Sequence, residues 1–225
     1  SDIGIGTLPF RLNLFSALCG ALTVSIFYRL ISWTIHHLIH EEYSVDYAER
    51  TSTLAAVVGS FALMVSVPFW SASTRLQYQG FDLLLLLITL QMLVYFIRSS
   101  NSFFLFFTAF LYGVGCAESV SFIALSPAML VLGILVFWRS GTFTLPRLLG
   151  AFVCMLFGLS LYVLEAWSFF KTGDMSLRGY TNLGSILVTI LKDQLNLLSS
   201  GMPRVGWMLI LLTSVLPWVV SSLVS

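Results

Sequence analysis

Arg75, Gln77, Tyr78, Gln79 and Asp82 crowd a short connector between two strongly apolar segments, one ending at Pro68-Phe69-Trp70 and the next beginning at Phe81. Polar side chains at such a mouth are the first candidates for function, because a polar group beside hydrocarbon is kept only where it has a partner or a task. Asp82, and Glu118 in the run GVGCAES, are the sharpest cases, each a carboxylate at the lip of an apolar stretch where it loses solvation. Arg11, Glu165, Lys171, Asp174, Arg178 and Arg204 fall on the same expected face, so cations and carboxylates gather there. The plainer role of headgroup anchor or helix-end charge competes with a chemical one, and it suits Lys171, Asp174 and Arg204 best. His36 and His40 stand four apart, a zinc-compatible helical spacing with Glu41 nearby. The zinc-protease pattern needs Glu directly after the first His, and His37 stands there, so a solvated segment is the stronger reading and no metal or other cofactor is expected.

Composition decides what holds these residues. Hydrophobic residues make up 58% of the chain and charged residues only 9%, which places it in a bilayer. The 11 Lys and Arg residues are scattered and the net charge is +1, so there is no basic patch for nucleic acid. Cys19, Cys116 and Cys154 sit far apart inside apolar runs, as small buried hydrophobes rather than a disulfide or zinc framework. The chain opens on Ser1-Asp2 and closes inside an apolar run, and it reads as a fragment of a larger protein.

The apolar pattern predicts an all-α, polytopic transmembrane helical bundle of about 6 to 7 spans, forming a single transmembrane domain over residues 1–225. Leu12 to Ile35 is the first span, with Arg29 and Trp33 at its interfacial end. His36 to Arg50 is a polar loop or helix extension, and Thr53 to Phe69 the second span, with Ala55, Ala56, Gly59, Ser60 and Ala62 allowing close helix approach. Phe81 to Ile97 is the third. Phe103 to Trp138 is too long for one span, and the glycines of Gly113 to Ser119 suggest a turn between two short ones with Glu118 beside it. Leu148 to Trp167 follows, and Val205 to Val224 returns through the bilayer with a kink at Pro217. Arg98, Arg139 and Arg147 place their connections in the cytoplasm, which puts the mouth, the Gly113 to Ser119 turn and a long 165–204 loop on the extracytoplasmic side. Within that loop Leu183, Ile186, Leu187, Ile190, Leu191, Leu195 and Leu198 form one apolar stripe opposite Ser185, Thr189, Lys192, Asp193 and Asn196, so an amphipathic interfacial helix is expected.

The run RLNLFSALCGALTVSIFYRL from Arg11 to Leu30, the corner VPFWS from Val67 to Ser71, and GVGCAES followed by LSP between Gly113 and Pro127 resemble one family. It is the bacterial group related to the eukaryotic transmembrane protein O-mannosyltransferase acting on plexin-type receptors, within the GT-C glycosyltransferases. The similarity covers about the first 130 residues. It implies an integral protein of the bacterial inner membrane that transfers a sugar, with inversion, from a polyprenyl-phosphate carrier to a hydroxyl of an acceptor protein or glycan. Arg75 and Arg178 would contact the carrier phosphate, since a guanidinium forks two oxygens, and Gln77, Tyr78 and Gln79 would bind sugar hydroxyls, with Asp82 and Glu118 beside them in the substrate site. The chain departs from the family in two places: Gln77 and Gln79 replace an acid and a Tyr after the corner, and Glu118-Ser119 replaces Asn-His after the glycines. The family's acidic motif, in an outer loop before the matching region, is absent here, so the resemblance leaves the catalytic residue unassigned in this chain. A transporter or flippase of lipid-linked cargo, which inverted repeats would favour, and a non-catalytic membrane subunit are the alternatives.

Overall fold

The computed structural model describes residues 7–40, 43–74, 79–140, 144–172 and 182–201, with Gly206. Arg75, Gln77, Tyr78, Asp174, Arg178, Arg204 and, apart from Gly206, the expected last span 205–224 lie outside them. Among the described residues every regular element is a helix. Three are long and apolar enough to cross a membrane: Leu8–His40, Gly80–Ser99 and Leu145–Thr172. Ser102–Glu118 and Ser126–Val136 are apolar but shorter. The chain divides into two compact units, Ser1–Gln91 and Met92–Ser225.

In the first unit α1 (Leu8–His40) pairs with α2 (Val45–Val65). At 1.5 Å per residue the 33 residues of α1 run to about 50 Å, well beyond a hydrocarbon layer of about 30 Å. The polar stretch after Trp33 is therefore largely helix that outruns the bilayer. Ala48, Ser52, Ala56 and Ser60, four apart, form the buried stripe of α2. A Cβ added at Gly59 would come 2.7 Å from Ile31 Cδ1, so small residues set the approach of the two helices, while Ala62, expected to share that role, is exposed. The VPFWS corner is not an irregular connector: after a break at Ser66 it forms the helix α3 (Val67–Thr74), with Pro68 in its first turn, where the missing N–H costs nothing. Gly20 of α1 lies against α3, since a Cβ there would stand 2.7 Å from Ser73 Cβ.

Helix α4 (Gln79–Ser99) spans the boundary between the units and buries Leu84, Leu85, Leu87, Leu93 and Phe96, which explains a sequence that is apolar on every side. It ends tightly. Ser100 takes a left-handed conformation with φ 52°, and the side chain of Asn101 accepts a hydrogen bond from Phe103 N at 3.0 Å to open α5 (Ser102–Glu118).

The turn expected at Gly113 to Ser119 is displaced. Both glycines lie inside α5, and the chain breaks only at Ser119, which caps the short α6 (Val120–Ala124) before α7 (Ser126–Ser140). The reversal itself is real, because Leu132 and Val136 of α7 pack beside Leu93, Phe96 and Leu105, near the start of α5. Tyr112 Oη stands 2.7 Å from Ser126 Oγ and 3.1 Å from the Phe122 carbonyl, which ties the fold-back together. The glycines do different work. A Cβ at Gly113 would lie 2.2 Å from the Met155 carbonyl oxygen, and one at Gly158 would lie 2.3 Å from that of Phe110, so the backbones of α5 and α8 (Leu145–Leu159) touch through this pair. Gly115 makes room for the buried Phe122 ring, and Gly150 for Phe106.

Ser160 interrupts the third apolar stretch between α8 and α9 (Leu161–Thr172). Helix α10 (Leu183–Gly201) is not among the candidate spans, and part of its apolar stripe is taken up by protein: Ile186 and Ile190 bury against Tyr162 and Ala166 of α9 and Ala117 of α5. Leu191 and Leu195 of the same stripe stay exposed.

Candidate functional site

The polar residues that the structure brings together lie at the C-terminal end of α5. A helix end leaves four carbonyls without partners inside the helix, and burial makes each of them costly. Two distant side chains meet that need. Tyr162 of α9 has its hydroxyl 2.7 Å from the Cys116 carbonyl and against Gln194 Oε1, while Gln194 Nε2 of α10 points at the Ala117 carbonyl at 3.5 Å. Ser119 N closes the end by donating to the Gly115 carbonyl at 2.9 Å. Three helices are thereby joined at one point, with Ala117, Tyr162, Ala166, Ile186 and Ile190 as the apolar floor. Removing the hydroxyl in Tyr162→Phe leaves the part-buried Cys116 carbonyl without its tyrosine donor, so we expect a loss of about 1 to 3 kcal/mol in unfolding experiments in detergent.

Beside this joint stand two carboxylates. Glu118 is the last residue of α5, and Glu165, one turn beyond Tyr162, lies close enough for the two charges to act on each other. Both are exposed. A helix C-terminus carries partial negative charge and favours cations, so an acid there, with a second acid in electrostatic reach, goes against the local electrostatics. Such a breach of a local rule marks a functional position more often than a structural one. Two carboxylates within electrostatic reach of each other offer up to four acceptor oxygens for hydroxyls or for a cation.

The mouth is only partly described. Gln79 and Asp82 both lie in the first turn of α4; Asp82 is just 9% exposed, and an acid at that end suits the helix dipole. Phe81 meets Phe15 of α1 with ring centroids 6.2 Å apart, which sets the start of α4 beside the first third of α1. His36 and His40 do face one another along α1, at 5.4 Å between rings, but among the described residues no three His, Cys, Asp or Glu side chains gather as a metal shell would need.

Residues 3–142 match the family described as Protein O-mannosyl-transferase TMEM260 N-terminal domain, well over half of the chain. The chain belongs to that family. No curated protein and no solved structure matches it. The part shared with the TMEM260 family runs from α1 through α7 and includes Asp82 and Glu118, whereas Tyr162, Glu165 and Gln194 come from beyond it. The joint at the end of α5 is thus built by a helix of the TMEM260-type region and two that follow it. Tyr162 and Gln194 were not among the residues singled out from sequence. Gln194 did leave a trace there: it lies four residues from both Ile190 and Leu198, a polar side chain on the apolar stripe of α10.

Proposed function

We propose that this chain is part of a membrane glycosyltransferase that moves a sugar from a polyprenyl-phosphate carrier to an acceptor hydroxyl on the extracytoplasmic face, in the manner of protein O-mannosylation. The observation that carries the reading is the family match over residues 3–142, whose description names both the sugar and the protein acceptor. The membrane-spanning helices support a lipid-linked donor, because a polyprenyl chain is soluble only in the bilayer that they occupy. In this reading the enzyme is of the GT-C type in a bacterial inner membrane, its spans number about six to seven, and α10 lies in the interface.

The chemistry needs little from the protein beyond position and charge. The acceptor oxygen attacks the anomeric carbon, a carboxylate takes its proton, and the carrier leaves as a polyprenyl phosphate whose developing charge needs cations. Arg75 and Arg178 fill the last role, with Gln77, Tyr78, Gln79 and Asp82 around the sugar. Glu118 and Glu165 accept hydrogen bonds from hydroxyls of the sugar or the acceptor.

A donor that binds the folded protein raises its stability by mass action, by about 2.7 kcal/mol at a hundred times its dissociation constant. Mannosyl phosphoryl polyprenol is therefore expected to raise the thermal midpoint of the full-length protein in detergent, and a nucleotide sugar to leave it unchanged. Stabilisation by the nucleotide sugar alone would exclude the lipid-linked donor.

A further inference from the structure

We propose that the polar end of the α1–α2 pair is a binding site for the headgroup of a zwitterionic phospholipid, separate from the sugar-transfer residues. An open cleft of about 340 Å³ lies between the two helices, with Tyr28, Arg29, Trp33 and His36 on α1 and Glu49 and Thr53 on α2. Glu49 and Thr53 also line an adjoining open hollow of about 620 Å³ along the same face of α2, together with Asp46 and Arg50.

Depth in the membrane is the first argument. Counted from Leu12, where the apolar run begins, Arg29 lies about 26 Å and Trp33 about 32 Å along α1, so they bracket the point at which a helix leaves a hydrocarbon layer of about 30 Å. Trp33, half-buried one turn further, is an interfacial residue by type. The cleft therefore opens at the level of lipid phosphates.

The lining is the second argument. Arg29 and His36 supply N–H donors and Thr53 a hydroxyl, a set that suits a phosphodiester. A purely anionic ligand, however, would meet Glu49 across the cleft, while the adjoining hollow is mixed, with Asp46 offset by Arg50. A ligand with a phosphate at one end and an ammonium a few ångströms away satisfies both signs at once: the phosphate against Arg29, the ammonium against Glu49. Tyr28 and Trp33 line the same cleft, Trp33 with one face stacked on His37 at 5.5 Å between rings, and aromatic rings attract an ammonium. Phosphoethanolamine has this layout, and phosphoglycerol lacks the cation.

Native mass spectrometry of the full chain, released from micelles holding equal amounts of phosphatidylethanolamine and phosphatidylglycerol with the same acyl chains, tests the site. We expect phosphatidylethanolamine to be retained preferentially, and Glu49→Gln to reduce that retention roughly ten-fold, the size expected for one lost charged hydrogen bond. Glu49 is exposed, so its variant should keep the parent's thermal midpoint. Arg29→Gln should lower the retention of both lipids, with Arg29→Lys recovering part of it. Equal retention of the two lipids by the parent chain, or unchanged preference in a folded Glu49→Gln variant, would overturn the proposal. Displacement of the lipid by an equal concentration of glycerophosphoethanolamine would assign the cleft to a soluble phosphodiester and overturn the lipid assignment.

Discussion

Replacing Gly113 by Ala should destabilise the second unit by about 3 kcal/mol, the upper end of what overpacking a tight interior costs. The added Cβ would lie 2.2 Å from the Met155 carbonyl oxygen and 3.2 Å from Gly158 Cα, and both obstacles are backbone, which cannot swing aside as a side chain does. The only relief is for α5 and α8 to separate, which gives up contacts along their shared length. Gly158→Ala should behave alike, its Cβ standing 2.3 Å from the Phe110 carbonyl oxygen, and the double variant should cost less than the sum, because one separation of the helices serves both. Gly133 is the control. A Cβ there meets nothing within 4 Å, so Gly133→Ala in α7 should be neutral or stabilising by up to about 1 kcal/mol through helix propensity. Unfolding midpoints in SDS and dodecylmaltoside mixtures give the comparison, and equal midpoints for Gly113→Ala and Gly133→Ala would contradict the close α5–α8 contact.

The same pair of glycines shows where sequence reasoning reached and where it stopped. The apolar runs at Leu12 to Ile35, Phe81 to Ile97 and Leu148 to Trp167 announce membrane helices, and helices stand there. Gly113 and Gly115 suggest a turn in the sequence because glycine interrupts helices in water; between membrane helices it serves as readily to let backbones touch. The decisive signal was spacing, since Ala109, Gly113 and Ala117 recur every fourth residue, as do Gly150, Cys154 and Gly158. Pro68 looked like a stop between Val67 and Trp70 and proved to be the first turn of α3. The cap on α5 was beyond sequence reasoning for another reason: Tyr162 and Gln194 reach carbonyls 46 and 77 residues away along the chain, and no local pattern records such a contact. Glu118 is legible as an acid at the lip of an apolar stretch, but Glu165 is one charge among many in the sequence, and only the fold brings it within electrostatic reach of Glu118.

Glu118→Gln and Glu165→Gln should each lower kcat/KM for sugar transfer by the full-length protein about ten- to a hundred-fold. That is the effect of losing a charged hydrogen-bond acceptor toward a bound hydroxyl, about 1.5 to 3 kcal/mol. Stability should move the other way. Each substitution removes a negative charge from the C-terminal end of α5, or from beside it, and relieves the repulsion between the two acids, so unfolding midpoints should stay level or rise. This opposition separates a substrate-binding role from a structural one, because a carboxylate that served the fold would lower both readings when neutralised. The double variant should cost less than the sum if both acids act on the same bound group. Normal transfer by both variants would remove the carboxylate pair from the site.

Sugar transfer from a lipid-linked donor is the central claim, and one measurement tests it directly. The full-length protein, reconstituted in liposomes with mannosyl phosphoryl polyprenol and a soluble peptide rich in Ser and Thr, is followed by mass spectrometry of the peptide. A single hexose added to a hydroxyl residue is expected, with an equal amount of polyprenyl phosphate released. Movement of the intact carrier between leaflets with no hexose on the peptide would contradict it, and would make this chain a transporter.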